Sequence, residues 1–182
     1  MISKELENII AYFIKEKKNT IFFETGFYKG ISAETALKLG FSKVISIEID
    51  QSYITEGEKK LFEFVKTKRL KLIHGDSAEK IETEYNENIT VIFLDAHGEN
   101  TNKDHKNVAP LERELNFILP KMGQDQLLII DDYLKIIHYD DLKKKNWKSF
   151  LSSDYFKSII KKYNLNHFQI PYMDINNIGN SY

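Results

Sequence analysis

The sequence contains no cysteine among its 182 residues, so disulfide bonds and thiolate metal sites are excluded. Long hydrophobic runs are missing too, because no apolar stretch approaches the roughly 20 residues that are needed to cross a bilayer. The first ten residues, MISKELENII, lack the long apolar core of a secretory signal. We therefore expect a soluble, cytoplasmic protein with no membrane partner.

A large excess of one charge is also absent, since the formal net charge is −1. Proteins that bind nucleic acid through a broad surface usually carry a basic patch there. The lysines that cluster at residues 143–145 and 161–162 are typical of solvated helix faces. The composition therefore predicts no nucleic-acid partner.

Linkers and repeats are missing as well. The chain has 3 prolines and 8 glycines, and no stretch is rich in Pro, Gly and Ser together. A chain of this length is long enough for one well-buried core and short for two. We predict a single domain that covers residues 1–182.

Five short apolar runs alternate with segments of helical spacing. The runs cover residues 21–23, 44–47, 70–73, 91–94 and 127–130, and the helical segments between and around them include residues 6–14, 33–39, 52–65, 110–119 and 147–163. This alternation predicts an α/β fold, doubly wound, with a mostly parallel sheet and helices on both faces. A strand at 165–172 and a closing strand or frayed tail at 173–182 follow, so that a complete Rossmann-like sheet would have seven strands.

Acidic residues follow every one of the five apolar runs. In an open parallel sheet the carboxyl ends of the strands meet at one edge, and ligands bind there. Carboxylates gathered on such a rim repel one another unless a cationic or hydroxyl-rich group lies among them. This pattern predicts a ligand site lined by Glu24, Glu48, Asp76, Asp95, Asp131 and Asp132.

The first run leads into the loop ETGFYKG, residues 24–30. Gly26 permits a tight turn, and Gly30 permits a close approach of the backbone to a ligand. A dinucleotide-binding loop would need a further glycine where Tyr28 stands. Glu24 at the head of the loop would repel a pyrophosphate but suits an ammonium group. Two glycines alone also fit a plain turn, and that alternative stays open.

The next two strand ends offer groups that could bind a nucleoside. Glu48 follows the second run, where a carboxylate can accept hydrogen bonds from both ribose hydroxyls. Asp76 and Ser77 follow the third run and are placed to meet an adenine edge. The alternatives are a solvated strand-end carboxylate for Glu48 and a helix N-cap for Ser77.

The ordered series ETGFYKG, ISIEID, HGDSAE, IFLDAH and LLIIDDY resembles the class I S-adenosylmethionine-dependent methyltransferases over about residues 20–135. Within that class it is similar to the metal-dependent O-methyltransferases of the macrocin type. The resemblance implies that the ribose would lie at Glu48, the adenine at Asp76 and Ser77, and the methionine part above the two loop glycines. The implied cofactor-binding residues are Glu24, Gly26, Gly30, Glu48, Asp76, Ser77 and Asp95.

Three carboxylates at two neighbouring strand ends form a predicted metal site: Asp95, Asp131 and Asp132. Such a set of hard oxygen ligands suits Mg²⁺, or Mn²⁺ or Ca²⁺ in its place. The resemblance implies the same three ligands. Alternatively, Asp131 and Asp132 cap the following turn, and Asp95 binds loop amides.

His97 stands where the macrocin-type sequences carry an aspartate. Histidine titrates near neutrality and suits a general base, although a loop histidine without a role is equally open. We expect an acceptor hydroxyl to attack the sulfonium methyl group in line, with Asp95 or His97 as the catalytic residue that takes the proton.

The predicted function is O-methyl transfer to a sugar or another small molecule. A homodimer is one assembly that fits this interpretation. The alternatives are an NAD-dependent oxidoreductase and a catalytically silent nucleoside-binding module.

Overall fold

The structure is a computed structural model that describes residues 2–96, 110–131 and 153–167. The strands are β1 (Ile21–Thr25), β2 (Lys43–Glu48), β3 (Leu70–His74), β4 (Val91–Leu94) and β5 (Leu127–Ile130). The helices are α1 (Lys4–Ile14), α2 (Ile31–Lys38), α3 (Gln51–Lys60), α4 (Phe62–Lys66), α5 (Ser77–Glu84), α6 (Leu111–Ile118) and α7 (Ser153–Lys162). All five apolar runs are therefore strands, as predicted.

The strands form one parallel sheet in the order β3-β2-β1-β4-β5. The α/β prediction is confirmed, but the described ranges hold five strands rather than seven. Residues 165–167 are not part of a strand. The remainder of the two further strands that the sequence predicted, at 168–182, lies outside the described residues.

Helices cover both faces of the sheet, as expected for a doubly wound fold. On one face, Phe23 and Ile92 pack with residues of α5, α6 and α7, among them Leu115. On the other face, Phe22 and Phe93 stack at 6.0 Å between ring centroids and pack with residues of α1 and α2. Because neighbouring residues of a strand point to opposite faces, one strand serves both cores. Each fully buried side chain of this size contributes about 1.5–3 kcal/mol of hydrophobic stabilisation.

Local sequence accounts for where several helices begin and end. Ser3 caps α1 by accepting a hydrogen bond from the amide of Leu6 at 3.2 Å. The helix predicted over residues 52–65 is divided into α3 and α4 at Leu61, whose φ of −110° and ψ of 30° leave the helical region. No helix in the described ranges is long and apolar enough to span a membrane.

Candidate functional site

Backbone hydrogen bonds join the residues that follow β4 and β5 to the carboxyl ends of the neighbouring strands. The amide of Asp95 donates to the carbonyl of Thr25 at 3.0 Å, and the amide of Asp131 donates to the carbonyl of Leu94 at 3.1 Å. Since Leu94 pairs with Ile130, Asp95 and Asp131 follow paired strand ends. The edge that the sequence predicted as the ligand site is therefore formed by the ends of β1, β4 and β5.

Gly26 turns the chain at the end of β1. Its φ is +87°, in the left-handed region, and its amide donates to the carbonyl of Ile47 at 2.9 Å. A Cβ atom at this position would lie 2.5 Å from the carbonyl oxygen of Asp95. Glycine is thus required because the loop after β1 passes directly against the loop after β4.

Gly30 packs against the protein core, and its predicted contact with a cofactor stays a prediction. A Cβ atom there would lie 2.4 Å from the ring of Phe27, and a Cβ atom at Gly57 of α3 would lie 2.3 Å from the same ring. The Phe27 side chain is almost fully buried, with 2% exposed. The missing side chains of these two glycines make room for this ring, which is one reason for glycine at position 30.

Glu24 does not lie on the open rim of the sheet. It is fully buried, and its two carboxyl oxygens accept hydrogen bonds from Ser32 Oγ at 2.5 Å and from Ser46 Oγ at 2.6 Å. Burial raises its pKa to about 7; the two serines oppose this shift and the charge of Asp95 adds to it. Glu24 therefore joins β1, β2 and α2 from beneath the loop.

Glu48 lies at the end of β2 and orders two loops at once. One of its oxygens accepts from the amide of Tyr28 at 2.7 Å, and the other accepts from the amide of Asp50 at 2.9 Å. Each oxygen of an ionised carboxyl group can accept two hydrogen bonds. Glu48 is therefore held in a fixed orientation and retains the capacity to accept two hydroxyl groups.

Asp76 caps α5, so the N-cap is Asp76 rather than Ser77, which the sequence offered for this role. Its Oδ1 accepts from the amide of Ala78 at 2.9 Å, and its Oδ2 accepts from Nη2 of Arg113 on α6 at 2.8 Å. Ser77 is the first residue of α5 and is buried. The ion pair joins the beginning of α5 to the beginning of α6.

Glu114 of α6 lies near Ser77 and Thr25, and it is not among the site residues that the sequence predicts. Both hydroxyl groups act to lower the pKa of Glu114, whereas burial, the largest influence, raises it to about 7. The side chain of Glu114 is fully buried. A charged residue at the core-facing position of a helix, between Leu111 and Leu115, was the signal that could have found it.

The predicted catalytic and metal-binding residues are only partly within the described ranges. Asp95 and Asp131 follow paired strand ends, whereas His97 and Asp132 lie outside the described residues. Within residues 2–96, 110–131 and 153–167, no group of three His, Asp or Glu side chains could hold a metal ion. The three-carboxylate metal site therefore stays a prediction.

Exposed apolar side chains border Glu48. Ile49, the next residue, is 45% exposed, and Tyr28 is 54% exposed. The Tyr28 ring packs edge-on against Tyr53 at 4.8 Å between centroids. A carboxylate beside an apolar surface can recognise a molecule that has hydroxyl groups on one part and a flat apolar ring on another.

These contacts change the electrostatic argument that the sequence offered. Three of the six acidic residues, Glu24, Glu48 and Asp76, have hydrogen-bonding partners within the chain. Their positions at strand ends are therefore stabilised without a ligand. The number of acidic residues at this edge therefore does not by itself indicate a bound cation.

Comparisons with known proteins agree on the fold. No protein-family model matches the chain, and no curated protein matches it. Among solved structures, a candidate methyltransferase from Streptococcus mutans in complex with S-adenosylhomocysteine superposes with a TM-score of 0.61 and 19% identity, over 98% of this chain and 93% of that one.

Two further structures are similar to this chain. A candidate caffeoyl-CoA O-methyltransferase from Staphylococcus aureus has a TM-score of 0.59 and 17% identity, over 90% of this chain and 73% of that one. A methyltransferase from Podospora anserina with bound S-adenosylhomocysteine has a TM-score of 0.55 and 16% identity, over 90% and 69% respectively. The chain has the fold of these methyltransferases. At this identity the likeness shows the fold alone, and the similarity to macrocin-type enzymes stays a prediction.

Proposed function

We propose that this protein is an S-adenosylmethionine-dependent methyltransferase that transfers the methyl group to a hydroxyl group of a sugar or another small molecule. The observation that carries the proposal is the geometry of Glu48. Its carboxyl group is fixed by the amides of Tyr28 and Asp50 at the end of β2, next to exposed Ile49. This arrangement suits a ribose on the carboxylate and an adenine on the apolar surface.

Asp76 and Ser77 would meet the edge of the adenine, and the loop that contains Gly26 would lie below the methionine part. Glu24 is fully buried, so its contribution to the ammonium group would be indirect, through the position of the loop. The two structural neighbours with bound S-adenosylhomocysteine support this choice of cofactor.

For the reaction, the acceptor oxygen would attack the sulfonium methyl carbon, the bond between carbon and sulfur would break, and S-adenosylhomocysteine would leave. The acceptor hydroxyl must lose its proton. Asp95, at the end of β4, is the proposed base within the described residues, and His97 is a second candidate. The protein would act mainly by positioning the two reactants and by excluding water.

Calorimetric titration tests the cofactor assignment. We expect heat of binding with S-adenosylhomocysteine and none with NAD; the opposite result would favour the oxidoreductase alternative. Glu48→Gln should lower the affinity for S-adenosylhomocysteine at least tenfold, because an amide group cannot accept from two backbone amides and two hydroxyls. Glu84→Gln is the matched control, since that carboxylate pairs with Lys71 at the far end of α5. Equal losses in the two variants would refute the ribose role of Glu48.

The replacement Asp95→Ala tests the base. Turnover should fall by about 100-fold or more, the usual contribution of a general base, while affinity for S-adenosylhomocysteine stays within about threefold. The measurement is methyl transfer to a panel of sugars and small phenols, alongside calorimetry. Normal turnover in this variant would show that Asp95 does not take the proton.

Fewer observations support the proposal of a divalent cation at this edge. Asp95 and Asp131, which follow adjacent strand ends, would be two hard oxygen ligands, and Asp132 would be the third. When bound, such an ion lowers the pKa of a hydroxyl group that it coordinates. Titration with Mg²⁺ and Mn²⁺, compared between the wild type and Asp131→Asn, tests this part separately from cofactor binding.

A further inference from the structure

Two polar side chains, Glu114 of α6 and Thr25 at the end of β1, are buried without a well-formed hydrogen bond. Neither carboxyl oxygen of Glu114 nor the hydroxyl oxygen of Thr25 has a partner in good bonding geometry among the described residues. The Ser77 and Thr25 hydroxyl groups are nevertheless close enough to Glu114 to lower its pKa. Glu114 is 0% exposed. An unsatisfied buried polar group of this kind is destabilising, so its retention calls for an explanation.

The surroundings of Glu114 favour a neutral carboxyl group. From β1 it faces the Thr25 hydroxyl, and from α5 it faces the Ser77 hydroxyl and the carboxylate of Asp76. The neighbouring cation on its own helix, Arg113, already pairs with Asp76 at 2.8 Å. Helix α7 also packs on this core, where burial, and after it the charge of Glu112, raises the pKa of Tyr155. An ionised Glu114 would be a buried charge that lies near a second carboxylate.

We propose that Glu114, in its neutral form, is a positioning residue for the nucleoside site. A neutral carboxyl group can donate one hydrogen bond and accept others, so it can join the hydroxyl groups of Thr25 and Ser77. This link would fix the beginning of α5, where Asp76 and Ser77 would meet the adenine. The inference rests on the proposed function, because it assumes that a nucleoside binds at this edge.

The charge state of Glu114 then controls the affinity of the site. Ionised Glu114 repels Asp76 and competes with it for Arg113, which loosens the junction between α5 and α6. Because burial raises the pKa of Glu114 to about 7, the neutral form falls from about nine tenths at pH 6 to about one tenth at pH 8. If only the neutral form binds well, the apparent affinity falls about tenfold over this range.

The experiment is calorimetric titration of S-adenosylhomocysteine into the wild type, Glu114→Gln and Glu114→Leu at pH 6, 7 and 8. We expect the wild-type affinity to fall about tenfold from pH 6 to pH 8. The glutamine variant, which is neutral and keeps the hydrogen-bonding shape, should bind with nearly constant affinity. The leucine variant should bind at least fivefold more weakly than the glutamine variant at every pH, since it cannot hold the two hydroxyl groups.

Glu24, whose pKa burial also raises to about 7, is present in all three proteins. The difference between the wild type and the glutamine variant therefore isolates Glu114. Identical affinities and pH profiles in the three proteins would overturn the role of Glu114 and leave the proposed function intact. The absence of binding to all three at every pH would refute the proposed function, and the nucleoside role of Glu114 with it.

Discussion

Two buried carboxyl groups lie on opposite faces of the same strand end, and they differ in what surrounds them. Glu24 of β1 receives hydrogen bonds from Ser32 and Ser46. Glu114 of α6 lies near Thr25, the next residue of β1, and forms no hydrogen bond of good geometry with the described residues. Burial raises the pKa of both groups to about 7, so the two groups do not differ in pKa. They differ in the hydrogen bonds that they form.

The comparison indicates which face of the sheet satisfies its buried carboxyl group with well-formed hydrogen bonds. On the side of α2, every buried oxygen of the Glu24 carboxyl group has a donor within the chain. On the side of α5 and α6, buried oxygens of Glu114 and Thr25 have none in good bonding geometry among the described residues. The first arrangement is typical of a structural support, and the second is typical of a functional site that sacrifices some stability.

The largest expected effect on stability comes from replacing Glu24 and Glu114, one on each face, with leucine. At pH 5, where both carboxyl groups are neutral, Glu24→Leu should lower the free energy of unfolding by about 3 kcal/mol, because two buried serines lose their partner. Glu114→Leu should lower it by about 1 kcal/mol or less, because the bonds of this carboxyl group to the Thr25 and Ser77 hydroxyl groups are weaker in geometry than those of Glu24. Urea denaturation measures both values. Equal losses of stability would show that Glu114 is a structural support like Glu24.

A second prediction uses pH to separate the charge of Glu114 from its shape. The pKa of Glu114 is raised from 4.5 to about 7 on folding, so the folded state holds its proton more tightly than the unfolded state. Stability from this group is fully present below pH 4.5 and is lost as the pH rises to about 7, by about 3 kcal/mol in total.

Glu114→Gln removes that loss. Its free energy of unfolding should equal that of the wild type near pH 4.5 and exceed it by about 3 kcal/mol at pH 8. Denaturation by urea across this range provides the test. Parallel profiles for the two proteins would mean that Glu114 does not titrate abnormally.

The smallest difference between two variants concerns the turn at the end of β1. Gly26 and Gly40 have similar positive φ angles, +87° and +95°, but a Cβ atom would meet the Asp95 carbonyl only at Gly26 and has open space at Gly40. Gly40→Ala should cost about 1 kcal/mol for the backbone conformation alone. Gly26→Ala should cost about 2 kcal/mol more, because the loops after β1 and β4 must separate. Similar thermal stabilities of the two variants would contradict the close approach.

Much of the fold could be predicted because it is encoded locally. The five apolar runs became β1 to β5, and the spacing of apolar residues placed α1, α2 and α6 within two residues of their observed ends. Burial of a strand on both faces and of a helix on one face leaves a periodic pattern that can be read without a structure. The break at Leu61 leaves no such pattern, so the sequence predicts one helix where the structure has α3 and α4.

The candidate site could be predicted in its location but not in its contacts. Strand ends carry the acidic residues, and a parallel sheet brings those ends to one edge whatever the details of packing. The sequence thereby determined that Glu48, Asp76 and Asp95 belong to the same region. It also determined that no metal site could use thiolate ligands, since the chain has no cysteine.

Only the tertiary structure decided which of these acids have partners. The hydrogen bonds to Glu24 come from residues 8 and 22 positions away, and the ion pair of Asp76 comes from a residue 37 positions away. Such contacts depend on how helices pack across a sheet, which no local pattern records. For the same reason the contact of Gly30 with the ring of Phe27, and the position of Glu114 near Thr25 and Ser77, are decided only by the tertiary structure.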